Sequence, residues 1–202
     1  MKNRKRNRML GFDYSQNAVY FVTSCCKNRI HHFGEVHLGK MNLSEFGKIA
    51  ETQIEWLQSQ YPYIELHNYV VMPNHVHILF EIDSSLIERT ARNVRTAREL
   101  SQRDIPQHEL SQHEIPQREM PQQDPIKIKS VSSIMGAFKT TTSKQIHLLG
   151  NLNFEWQRSF HDHIVRDARA YENIFNYITD NPDRWKEDTF NKDYNTNYTE
   201  NE

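Results

Sequence analysis

Two short patterns in this chain hold side chains whose chemistry depends on convergence. His75-Val76-His77 alternates imidazole, aliphatic and imidazole. On a strand, successive side chains point to opposite faces, so both imidazoles would project to one side. Two nitrogen donors meeting at one point suit a divalent metal, and oxygen donors could complete the shell for Mg²⁺ or Mn²⁺. Alone, the triplet has a second reading as a polar strand face.

The other pattern is Tyr177 followed four residues later by Asn181. At 100° per residue, Tyr171, Ile174, Phe175 and Ile178 form a narrow apolar arc, with Tyr177 and Asn181 together at its edge. A phenol and an amide oxygen presented to one point could serve as a nucleophile beside a metal-bound phosphate. The same pair also reads as a tyrosine anchoring its helix, with Asn181 as the helix C-cap before Pro182.

The elements needed to position these residues are readable. Ala18 to Cys26 is an apolar, β-branched and aromatic run that predicts a strand. Asn42 and Glu45 predict an N-terminal cap pair for a helix carrying Phe46, Ile49, Ala50, Ile54 and Leu57, which Pro62 terminates. Glu65 to Met72 and His75 to Ile82, separated by Pro73-Asn74, predict an antiparallel hairpin. Val131 to Leu149 predicts a helix ending at Gly150, His161 to Val165 a short strand, and Ala168 to Asp180 a last helix. The order strand, helix, strand, strand, helix, strand, helix fits an α+β domain with helices against one face of an antiparallel sheet.

Between the halves, residues 97 to 124 step through a five-residue unit such as Gln107-His-Glu-Leu-Ser and Gln112-His-Glu-Ile-Pro. Prolines 106, 116, 121 and 125 interrupt helix, and one aliphatic residue per unit buries too little area to offset chain entropy. This predicts a disordered insert in one domain formed by residues 1 to 96 and 125 to 190, followed by a flexible acidic tail over 191 to 202. His108 and His113 read as repeat units, not ligands.

The net charge of -1 conceals an uneven distribution. Residues 98 to 124 and 183 to 202 each carry three basic and six acidic side chains, which leaves about +5 on the remainder. Five of the first eight residues are basic, and a basic arm including Arg4, Lys5 and Arg6 suits either nucleic acid or solvent. Adjacent Cys25 and Cys26 predict free thiols on opposite faces, not a disulfide. No apolar stretch reaches signal-peptide or membrane-spanning length, which predicts a soluble cytoplasmic protein with no membrane partner.

Taken together, the motifs resemble those of the single-tyrosine transposases of the histidine-hydrophobic-histidine type, and especially their REP-associated branch. The resemblance rests on Gly11-Phe-Asp-Tyr-Ser, Tyr20-Phe-Val-Thr, Asn28-Arg, Glu45-Phe-Gly-Lys and Val70-Val-Met-Pro-Asn-His-Val-His77. In the second half it rests on Phe154-Glu-Trp-Gln-Arg158, His161-Asp-His-Ile-Val-Arg-Asp167 and Tyr177-Ile-Thr-Asp-Asn-Pro182 with Trp185. It runs from about Arg4 to Trp185 and skips the insert. What it implies is a ferredoxin-like fold, a dimeric enzyme, and a tyrosine helix completing the site. It also implies that His75 and His77 are metal ligands with Asn181 as a third, and that Tyr177 is the nucleophile. His163 and Arg166 match family positions without an assigned role.

The implied activity is metal-dependent cleavage and strand transfer of single-stranded or hairpin DNA through a 5′-phosphotyrosine. An unperturbed phenol with a pKa of about 10 needs metal assistance for this at neutral pH. Lys139, Lys144 and Arg158, with the basic arm, are candidates to track the DNA backbone. Two rivals stand beside this reading. One is a non-catalytic DNA-hairpin-binding protein; the other is a zinc hydrolase in which His161 and His163 join His75 and His77.

Overall fold

The computed structural model describes residues 11–89, 92 and 126–191 of the chain. The repeat insert, the arm residues Arg4, Lys5 and Arg6, and tail residues 192–202 lie outside the described residues. The strands are β1 (Ala18–Cys25), β2 (Gly34–His37), β3 (Lys40–Leu43), β4 (Ile64–Met72), β5 (His75–Ile82) and β6 (His161–Val165). The main helices are α1 (Glu45–Gln60), α2 (Val131–Leu148) and α3 (Ala168–Asp180), with residues 85–89 also helical and short 3-10 turns at Lys27–Arg29 and Trp185–Glu187. Among the described residues, no helix is long and apolar enough to cross a membrane.

β4, β5, β1 and β6 lie side by side in that order, and every pair is antiparallel. β5 sits between β1 and β4, which α1 connects, and β1 sits between β5 and β6, the strands flanking α2. These two interleaved split βαβ units make the ferredoxin-like topology. β2 and β3 form a separate hairpin that periodicity did not anticipate. Its two-residue turn places Leu38 and Gly39 at φ 49° and 74°, the left-handed pair that matches strand twist.

That hairpin also corrects the expected cap of α1. Asn42 pairs with Glu35 inside β3, and Ser44 is the N-cap, its hydroxyl accepting from the Gly47 N–H at 3.1 Å. Gly47 is needed here because a Cβ would lie 2.1 Å from the Phe33 carbonyl oxygen.

The registers define the two faces. Thr23 lies opposite His77 and Cys25 opposite His75, so these side chains share a face with Phe21 and Leu79. Tyr20, Val22, Val76, Ile78 and Phe80 occupy the other face, all with no exposed surface. Ala50, Ile54 and Leu57 of α1 and Ile134 and Phe138 of α2 complete that core. Each fully buried aliphatic or aromatic side chain of this kind contributes about 1.5–3 kcal/mol relative to exposure.

Tyr69, opposite Ile78, donates its hydroxyl to Glu55 of α1 at 2.6 Å. Asn68, opposite Leu79, donates to Phe175 O and Thr179 Oγ1 of α3 at 3.0 and 2.9 Å. α1 and α2 therefore cover one face, and α3 lies across the other, over the histidines. Ordinary alternation sends these consecutive residues to opposite helices, and the bulge between Leu66 and Asn68 puts those two on opposite faces. Cys25 and Cys26 are both buried free thiols.

Candidate active site

β5 is an inner strand, and its position isolates the histidine pair from water: His75 is 0% and His77 1% exposed. Asn74 donates through Nδ2 to the carbonyls of Arg29 and Phe190 at 3.0 and 2.8 Å, which leaves its Oδ1 to accept. That oxygen lies 2.9 Å from His75 Nδ1, so His75 Nδ1 must carry the proton and Nε2 a bare lone pair. His77 Nδ1 lies 2.7 Å from Thr23 Oγ1. When Thr23 accepts, His77 also presents a bare Nε2.

The two Nε2 atoms are 3.1 Å apart. Burial, then the neighbouring His77, Arg29 and His31, hold His75 well below its ordinary pKa. Burial brings His77 down to about 3. Both rings are thus neutral at physiological pH, tied back at Nδ1 and aimed at one point, which is the arrangement of metal-ligating imidazoles with their outer partners.

α3 brings the second half of the site. Asp167 caps it by accepting from the Ala170 N–H at 2.8 Å, and the arc from Tyr171 to Ile178 seats it on the sheet. Tyr177 stays 38% exposed, with its ring edge-on to His77 at 5.1 Å between centroids. Its hydroxyl lies 3.3 Å from His77 Nε2. Asn181 is the C-cap by position, yet it is 1% exposed and its Oδ1 is buried with no hydrogen-bond partner. A buried orphan acceptor is costly unless something electropositive meets it.

The sequence reading missed one residue, Asp188. A ligand oxygen of Asp188, with one nitrogen each from His75 and His77, falls in a set of atoms all within 4.8 Å of one another. The segment carrying Asp188 is held by long-range contacts. Phe190 packs on the His75 ring at 4.6 Å between centroids, and Arg29 lies over the Phe190 ring at 5.0 Å. Asn191 Nδ2 donates to Trp185 O at 3.0 Å.

Two imidazole nitrogens, a carboxylate and an unpartnered amide oxygen fit a divalent cation of mixed nitrogen and oxygen preference. Burial raises the Asp188 carboxyl, while the Phe190 N–H, Asn181 and Arg29 pull it back. Burial, and then the Asp188 charge, raise the Tyr177 phenol, against hydrogen bonding from Asn181. Tyr177 is therefore a protonated phenol at neutral pH unless positive charge enters the site.

The other expected residues have different settings. Lys139 is occupied: its half-buried ammonium donates to the Gln157 and Arg158 carbonyls, and burial lowers its pKa. Lys144 and Arg158 are exposed and line a common cavity of about 750 Å³. His161 and His163 do not join the pair. β1 stands between β5 and β6, with Thr23 facing His77 on one side and His161 on the other. Two inter-strand spacings, roughly 10 Å, separate them. The four-histidine zinc arrangement is therefore not assembled.

No protein-family model matches the chain. An uncharacterized protein of Haemophilus influenzae (strain Rd) is 27% identical over 187 residues, covering 92% of each chain. Among solved structures, a REP-associated tyrosine transposase bound to a REP hairpin aligns over 90% of this chain and 74% of its own. The TM-score is 0.51 and the identity 16%. The fold that the sequence resemblance implied is the fold found: this chain shares the architecture of the REP-associated tyrosine transposase.

Proposed function

We propose that this protein cleaves and rejoins single-stranded or hairpin DNA, with Tyr177 as the covalent nucleophile. The observation that carries this reading is the hydroxyl of the part-exposed Tyr177 lying 3.3 Å from Nε2 of His77, one of a buried, neutral histidine pair. The structural neighbour was solved with a REP hairpin, which supports DNA as the substrate class. One chain supplies Tyr177 and all four candidate ligands, His75, His77, Asn181 and Asp188.

A divalent cation at these ligands, Mg²⁺ or Mn²⁺, would supply Lewis-acid neutralisation of charge on the scissile phosphate. The chain's own residues do the rest. Asn74 and Thr23 fix the imidazoles before substrate arrives, so little reorganisation is needed at the moment of reaction. Packing of α3 against Asn68 and of the Tyr177 ring against Phe21 and His77 holds the phenol oxygen at the mouth of the site. The Tyr177 oxygen attacks phosphorus, the bond to the 3′ oxygen breaks, and the DNA stays joined to Tyr177 through its 5′ phosphate. The phenol proton leaves to solvent and the departing 3′ oxygen takes one up. Attack by a 3′ hydroxyl reverses the exchange, a phosphodiester for a phosphodiester, without a nucleotide cofactor.

The test is incubation of a labelled hairpin oligonucleotide with the protein and Mg²⁺ or Mn²⁺, resolved on a denaturing gel. A labelled protein band that needs metal and vanishes in Tyr177→Phe is expected. Binding without any band, across many hairpins, would instead identify a DNA-hairpin-binding protein.

A further inference from the structure

At the far end of the histidine face, a second group of ligand side chains stands clear of the tyrosine site. Alternation puts Glu81 on the same face of β5 as His77 and Leu79, roughly 13 Å from His77 at about 3.3 Å per residue. Glu65 of β4 lies directly opposite Glu81 in the register. The bulge in β4 adds a third side chain. The register passes from Leu66 to Asn68, and His67, left without a cross-strand partner, is turned toward α3, where its ring meets Tyr171 edge-on at 5.5 Å between centroids. One ligand atom from each of Glu65, His67 and Glu81 falls in a set of atoms all within 4.8 Å of one another.

Without a cation these groups satisfy one another poorly. Glu65 and Glu81 set like charges opposite each other across a strand pair, which is destabilising, and among the described residues neither has a Lys or Arg partner. His67 Nε2 lies 3.5 Å from Glu81 Oε2, too far for a good hydrogen bond, and its Nδ1 is buried with no partner. The His67 side chain is only 15% exposed, so water does little to replace those bonds. A proton on His67 would offset one of the two carboxylate charges, whereas a divalent cation offsets both. Glu65 is exposed and Glu81 partly so, which leaves an ion a path in from solvent and room to keep a water.

We infer that Glu65, His67 and Glu81 form a second divalent-metal site, of zinc type, that cross-links β4 and β5 beneath the first turn of α3. One imidazole and two carboxylates suit Zn²⁺, and a water in the fourth position completes a tetrahedron. Ligand atoms around such an ion lie roughly 3.4 Å apart, so the three side chains need close by only about an ångström. His75 has Asn74 behind its Nδ1, whereas His67 has no acceptor there. The second site is therefore weaker than the His75 and His77 site, by roughly 10–100-fold. It shares no residue with the tyrosine site and stands whether or not Tyr177 is a nucleophile.

The test is equilibrium dialysis of the EDTA-stripped full chain against Zn²⁺. Wild type should take up one tighter and one weaker equivalent. His67→Ala, and separately Glu65→Gln/Glu81→Gln, should lower affinity for the weaker equivalent by more than about 100-fold. Both variants should keep the tighter equivalent, which also shows that they are folded. His75→Ala/His77→Ala should do the opposite. A weaker equivalent that survives both cluster variants belongs elsewhere in the chain and would overturn the inference. So would a wild type that binds a single equivalent and loses it with His75 and His77. A single equivalent lost with His67 would sustain this site and remove the metal from the tyrosine site.

Discussion

The chain contains two histidine pairs of identical pattern, His75-Val-His77 and His161-Asp-His163, and they point to the same face of one sheet. Their surroundings make them different objects. β5 is flanked on both sides and covered by α3 and the 185–191 segment, so its histidines are buried, neutral and fixed at Nδ1. β6 is the sheet edge, and both of its histidines are exposed. A strand motif supplies convergence for either pair. Only an inner strand under a cover adds the dry setting that makes convergence useful to a metal.

The sharpest way to break this comparison is to delete one ring from each pair. His75→Ala or His77→Ala should lower metal-dependent adduct formation by more than about 100-fold, since loss of a ligand exceeds the 10–100-fold typical of losing an outer partner. His163→Ala should leave adduct formation near wild type. Equal losses from both would mean that burial does not distinguish the pairs.

A second prediction concerns the cover. Asp188→Asn keeps shape and removes charge, and metal affinity measured by calorimetry should fall by roughly 10–100-fold. Unchanged affinity would make Asp188 a bystander and leave the histidines and Asn181 as the whole donor set.

Burial of the β5 pair also has a signature in stability. His77 titrates near 3 in the fold and His75 lies well below the ordinary 6.5, so below about pH 6.5 the unfolded chain takes up protons that the folded chain refuses. Their contribution is present above that pH and drains away as pH falls toward 3. In EDTA, denaturant unfolding should show stability dropping by up to about 1.4 kcal/mol per pH unit for each ring kept neutral. His77→Phe should flatten that acid slope. A slope equal to wild type would show that the ring is solvated in the metal-free fold.

How much of this was readable without coordinates depends on range. Alternation placed His75 and His77 on one side of a strand, and helical spacing placed Tyr177 beside Asn181; both are local facts. Asp188 sits seven residues past Asn181 in a stretch with no periodicity, and its place is set by Asn74, Arg29 and His75, more than 110 residues away in sequence. The β2–β3 hairpin escaped because Leu38 occupies a left-handed turn position where asparagine or glycine is the usual signal. With that hairpin unseen, Asn42 looked like a helix cap while Ser44 filled the role. The position of α3 on the face opposite α1 and α2 is fixed by its docking on Asn68 of β4, about a hundred residues away, which no local pattern encodes.

The smallest expected effect is the most discriminating. His161→Ala/His163→Ala should change unfolding free energy by no more than about 0.5 kcal/mol, the usual range for surface substitutions, and leave metal affinity unaltered. His161 and His163 do share a face with the site, and a DNA strand crossing β1 toward β6 would meet them first. If the double variant keeps its metal affinity but loses hairpin affinity, the edge pair has a binding role and the two pairs divide metal from substrate. If both are unchanged, the second pair carries the pattern without the chemistry, because an edge strand leaves it exposed where β5 is buried.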